Sequence, residues 1–75
     1  MMPTGNTTFT VETENGTTTG TYPNGPWTTM HNIVNQWETG GWRYSIRHNG
    51  YRITLTRYND DGTIDRRITL TEEVA

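Results

Sequence analysis

All six arginines of this 75-residue chain fall between Arg43 and Arg67, and there is no lysine. A guanidinium offers five N–H donors in a fixed planar fork that grips carboxylates and phosphates two bonds at a time. Clustered arginines are therefore the one residue set here with evident binding chemistry, and Arg43, Arg47, Arg52 and Arg67 recur among Ser45, Thr54, Thr56 and Thr69.

The other reactive residue types do not assemble into a catalytic set. Ser45 is the only serine, and no base stands at a telling distance from it in the sequence. His31 and His48 have no ligand spacing between them and read as solvated imidazoles. The run Asn59-Asp60-Asp61-Gly62-Thr63-Ile64-Asp65 looks like a calcium loop but lacks the EF-hand spacing and its terminal Glu, and turn geometry explains its Asp and Gly residues. Glu12 with Glu14 and Glu72 with Glu73 read as solvated pairs, and no glycine-rich phosphate loop occurs. The expectation is a chain that is not an enzyme, with no catalytic residue, cofactor or metal.

The elements that must position the arginines can be read from the turns. Asn49-Gly50 is a strong hairpin signal, because a two-residue type I′ turn needs positive φ at both central residues. Placing the turn there sets Arg47 directly opposite Arg52, with Ile46 opposite Ile53 and Tyr44 opposite Leu55. Side chains alternate between faces with period two. One face then carries Trp42, Tyr44, Ile46, Ile53 and Leu55, and the other carries Arg43, Ser45, Arg47, Arg52, Thr54 and Thr56. A loop of two or four residues around Asp60-Asp61-Gly62 adds Ile64, Ile68 and Leu70 to the apolar face and Asp65, Arg67, Thr69 and Thr71 to the polar one.

Upstream, Phe9 and Val11 alternate with Thr and Glu up to Asn15-Gly16, and a threonine-rich strand follows to Tyr22. A turn at Asn15-Gly16 sets Phe9 opposite Tyr22 and Val11 opposite Gly20. This first hairpin is too weak to stand alone and should join the main sheet. Pro26 suits a first helical position. Met30, Ile33, Val34 and Trp37 have the i, i+3, i+4, i+7 spacing of one helix face, extended backwards by Trp27. Gly40-Gly41 ends the helix, with Gly40 expected in the left-handed cap conformation. Residues 1–6 read as a short frayed polar lead, and residues 71–75 as a short, mobile acidic end.

The fold expected is α+β, ββαβββ, an antiparallel sheet with one helix packed on one face, as one domain over residues 1–75. Its parts are an N-terminal hairpin, a helix at about 26–39 and a three-stranded meander at about 42–71. One helix covers one face, so the opposite face must be solvated or bind something.

Composition narrows the partners. Ile, Leu, Val and Phe together number only 11, while three Trp and four Tyr supply large apolar areas and the net charge is only −2. There are no cysteines to staple the core, so sheet edges and a thin core favour self-association or a partner. No apolar run approaches a membrane span and no signal peptide is evident, which makes cytoplasmic the default location.

The leading functional expectation is a non-catalytic protein-binding module of the inhibitor or adaptor type, of the size encoded by phages and mobile elements. Its binding residues would be Arg43, Arg47, Arg52, Thr54, Thr56 and Arg67, facing an acidic protein surface. The alternative is a sheet-based DNA- or RNA-binding protein that uses the same Arg/Thr face, since a sheet can enter the major groove. In architecture it resembles integrase and plant transcription-factor domains that read DNA with three strands, although their helix follows the sheet. A helix before a sheet containing Arg47-His48-Asn49-Gly50 also resembles, loosely, small ribonuclease toxins of the double-stranded-RNA-binding type. Their Gly-Ser-His-His-like segment and closing helix are not found here. An overall acidic chain argues against a strong counterion-release contribution.

Overall fold

The computed structural model describes residues 2–75. Five strands and one helix follow in the order β1 (Pro3–Thr13), β2 (Gly16–Tyr22), α1 (Pro26–Thr39), β3 (Arg43–Asn49), β4 (Arg52–Tyr58) and β5 (Ile64–Val74). All neighbours are antiparallel, and the spatial order is β2-β1-β5-β4-β3. This is the expected ββαβββ arrangement, with the first hairpin joined to the meander through β1 and β5. The long strands β1 and β5 lie inside the sheet, and the short β2 and β3 form its two edges.

The helix forms where the sequence places its apolar stripe, and that stripe meets the middle of the sheet. Met30 and Trp37 from α1 close over Ile53 and Leu55 of β4 and Ile68 and Leu70 of β5, with Phe9, Val11, Tyr22, Ile33, Val34 and Tyr44 packed around them. Leu55 and Leu70 have no exposed surface. A polar hub fastens the helix start. Thr7 is fully buried and donates to the Asn24 carbonyl at 2.6 Å, while Thr29 Oγ1 lies 3.3 Å from both Thr7 Oγ1 and that carbonyl. Satisfied in this way, buried hydroxyls avoid the cost of unpaired polar groups.

All three hairpin turns differ from the simplest sequence reading. The β3–β4 loop is Gly50-Tyr51, closed by Asn49 opposite Arg52. Only Gly50 has positive φ there, as in a turn that needs glycine at its first central position alone. The register therefore moves by two residues: Arg47 faces Thr54, Ile46 faces Leu55, and the expected Arg47–Arg52 opposition does not occur. The β1–β2 loop is Glu14-Asn15, with Gly16 paired to Thr13, so Phe9 faces Gly20 and Val11 faces Thr18. A shift by two preserves side-chain parity. The faces consequently survive although the partners change.

The third turn changes a face. Asn59 N–H donates to the Thr63 carbonyl at 2.8 Å and Gly62 N–H to the Asn59 carbonyl at 2.9 Å, which leaves a three-residue loop instead of two or four. An odd loop reverses parity, so Ile64 pairs with Tyr58 on the uncovered side and is 51% exposed, contrary to its expected place in the core. A bulge then inserts Asp65, after which Arg66 pairs with Arg57 and Ile68 with Leu55. Ile68 and Leu70 thus regain the covered face.

Two further expectations are corrected. The cap residue Gly40 is right-handed at φ −80°, and the left-handed residue is Gly41 at +74°. Trp42 N–H donates to the Trp37 carbonyl and Gly41 N–H to that of Glu38, the paired bonds of a Schellman ending. Nor are the described ends frayed. Pro3 pairs with Val74, and Ala75 N–H donates to the Met2 carbonyl. Met1 lies outside the described residues.

The Phe9 ring lies over Gly20 and stacks on Tyr22 with centroids 4.4 Å apart. A Cβ at Gly20 would stand 2.6 Å from the ring, which forces the stack apart. Gly20→Ala is expected to destabilise the fold by about 1–3 kcal/mol, read as a midpoint lowered by roughly 4 °C or more in thermal unfolding. An unchanged midpoint would mean the ring moves freely.

Candidate functional site

The uncovered face of the sheet is a regular array. Three cross-strand rows run over all five strands in the order β2, β1, β5, β4, β3. They are Thr21-Thr8-Thr71-Arg52-Asn49, Thr19-Thr10-Thr69-Thr54-Arg47 and Thr17-Glu12-Arg67-Thr56-Ser45. Rows and columns repeat at about 6.7 Å along a strand and about 4.8 Å between strands. Nine of these fifteen positions are threonine. Its branched side chain suits a pleated, half-buried surface, and this accounts for much of the chain's threonine content.

All six expected binding residues lie on this face. Arg43 stands opposite Tyr58, Arg47 opposite Thr54, Arg52 between Asn49 and Thr71, and Arg67 between Glu12 and Thr56. The four arginines are exposed and Thr54 is half-buried. Thr56, at 7% exposure, offers little surface for contact. With the register moved, Arg47 and Arg52 are diagonal neighbours, far enough apart at about 7–8 Å between Cα atoms to splay without direct opposition. The positive charge gathers on β3, β4 and β5. Near the C-terminal end of β5 Glu73 accepts from Thr4 Oγ1 at 2.8 Å, from Asn6 and from Thr21, bonds that hold its carboxyl below its usual range, Thr4 contributing most.

The covered face treats its arginines differently. Arg57 points toward the helix, opposite both Tyr44 and Arg66. Its Nε and Nη2 donate to Asp65 Oδ2 at 3.0 and 2.6 Å, and Arg66 Nε donates to the same oxygen at 2.9 Å. The Trp42 ring lies 3.8 Å from the Arg57 guanidinium carbon, and the Trp37 centroid is 5.6 Å away. Asp65 was expected at one end of the Arg/Thr face; the bulge turns its carboxylate to this pair instead. Gly40 makes room for the tryptophan, since a Cβ there would meet Trp42 Cδ1 at 3.0 Å. On the same side Tyr44 Oη donates to Glu38, and this bond raises the phenol above its ordinary range.

Sequence reasoning missed three parts of the surface. Thr8 and Thr10 of β1 continue the array beyond Thr71 and Thr69 of β5, which required knowing that these strands pair. Trp27 was placed on the helix stripe but is 57% exposed, its ring 5.2 Å from that of His48. Tyr51 stands almost wholly in solvent because it occupies the turn. Among the described residues no three His, Asp or Glu side chains are grouped to hold a metal ion, and no helix is long and apolar enough to cross a membrane.

No protein family, curated protein or solved structure matches the chain. The fold and the charge pattern are therefore the grounds for a functional reading.

The contacts of Arg57, then those of Arg66, lower the Asp65 carboxyl from 3.8. A carboxylate with a depressed folded-state pKa stabilises fully above its unfolded-state value and loses that contribution as pH falls through the folded one. Asp65→Asn is expected to cost about 1–2 kcal/mol at neutral pH, discounted for partial exposure. In urea unfolding at a series of pH values, the gap from the parent should stay constant above about pH 5 and close below about pH 4. A gap independent of pH down to strong acid would assign the loss to packing.

Proposed function

We propose that this chain is a non-catalytic binding module whose uncovered sheet face docks an acidic protein surface, in the manner of a small inhibitor or adaptor. One observation carries the reading. The two arginines that serve the fold, Arg57 and Arg66, are both paired with Asp65, whereas Arg43, Arg47, Arg52 and Arg67 have no salt bridge among the described residues. Four free guanidinium groups on one rigid surface, interleaved with hydroxyls, form a donor array suited to carboxylates. A ladder-bonded sheet fixes the backbone from which these donors project, so ordering the main chain costs little on association.

Nucleic acid fits the same donors less well. Glu12 and Glu73 share the face, the chain carries a net charge of −2, and a polyanion track wants a wholly basic surface.

The two readings separate by titrating the isotope-labelled protein with poly-glutamate and with mixed-sequence duplex DNA. Poly-glutamate is expected to shift amides along β3, β4 and β5, and Arg47→Ala with Arg52→Ala and Arg67→Ala should weaken the response at least tenfold. Tighter binding to DNA, with affinity falling steeply between about 50 and about 200 mM salt, would replace this reading with a nucleic-acid one.

A further inference from the structure

We propose that the free edge of β3 captures an extended segment of the acidic partner as a sixth strand, with acidic residues on one side of that segment and apolar residues on the other. This rests on the reading of the uncovered face as a protein-docking surface and says how the partner's backbone engages it.

The sheet has two edges, and they differ. β2 is Gly16-Thr17-Thr18-Thr19-Gly20-Thr21-Tyr22, with no charge and no large exposed apolar residue. β3 pairs with β4 in continuous register over seven residues, without a bulge or proline, and every residue but Tyr44 is exposed. Its outer backbone groups are a template for one more strand.

The two sides of β3 would read the two sides of an added strand. Toward the uncovered face it presents Arg43, Ser45, Arg47 and Asn49, so the segment's residues on that side meet two guanidinium groups alternating with a hydroxyl and an amide. Toward the helix it presents Ile46, which is 44% exposed, and His48 against Trp27. A shallow cavity of about 100 Å³ between Trp27, His48, Tyr51 and Ile53, with Glu72 at its rim, has room for one small apolar side chain of the segment. Backbone bonds then supply affinity and the alternating side chains supply specificity. Exposed Trp and Tyr beside arginine are also the residue types that dominate binding energy at interfaces. A second copy of this chain is disfavoured as the occupant, because β3 against β3 brings arginines together.

The test is an NMR titration with a synthetic peptide alternating Glu and Val, alongside a Lys/Val peptide and a Glu/Val peptide N-methylated at alternate residues. Strand addition predicts saturable shifts at Tyr44–Asn49, slowed amide exchange on that strand, and loss of binding on N-methylation. Arg43→Ala with Arg47→Ala, or Ile46→Asp alone, should each weaken the peptide at least tenfold. Binding that ignores N-methylation, or shifts confined to Thr54, Arg67 and Thr69, would overturn strand addition while leaving the docking face standing. Equal binding of the Lys/Val peptide would overturn the acidic specificity, and no shift at millimolar peptide would overturn the proposal. Loss of poly-glutamate binding in the Arg52→Ala, Arg67→Ala pair, which lies off the edge, reads the face independently.

Discussion

Arg57 and Arg66 stand opposite each other on the helix side of the sheet, and the way their charges are met shapes much of the molecule. Like charges directly across an antiparallel pair repel, and here they do so at the border of the core. The bulge places Asp65 beside both, so that one carboxylate oxygen accepts from both guanidinium groups. The Trp42 ring closes over the remaining face of Arg57, as a cation and an aromatic face attract. That ring is available because the helix ends in two glycines used differently. Gly40 gives the indole room, and Gly41 takes the left-handed conformation that turns the chain into β3. Helix ending, bulge and ion pair are one arrangement.

The same bulge sets the division of labour between the faces. Without it, the parity reversal at the Asn59–Thr63 loop would carry Ile68 and Leu70 to the uncovered side. With it, Ile64 is expelled, and the four arginines that have no salt bridge among the described residues share a face with the threonine rows. Arginine thus serves two purposes separated by a single sheet. On the covered side it is paired with Asp65, and on the uncovered side it stands exposed without a salt bridge among the described residues.

Much of this was legible in the sequence because period two survives changes of partner. Trp42–Thr56 sorted into an apolar and an Arg/Thr set whether the turn was placed at Asn49-Gly50 or at Gly50-Tyr51. The two placements differ by one residue along the chain and therefore by two in register, so all six expected site residues share a face. The register itself was less legible. Asn-Gly favours a turn in which both residues take positive φ, yet Gly50 takes it alone and the opposition of Arg47 with Arg52 dissolves. Thr56 illustrates another limit: its type suggested a surface hydroxyl, and its central strand buried it.

The sequence by itself determined the class of fold, the face the helix covers, and the gathering of arginines on the other face. These follow from local periodicities of 2 and 3.6 and from the Gly and Pro residues that interrupt them, properties of neighbouring residues alone. Only the tertiary structure decided that β1 pairs with β5, which lengthens the threonine array to five strands and leaves β2 and β3 as unequal edges. It alone decided that Asp65 answers Arg57, that Ile64 faces out, and that Trp27 and Tyr51 stand exposed near one edge. Each depends on which distant segments meet and on one inserted residue in a ladder, and a pattern repeating every two residues is blind to both.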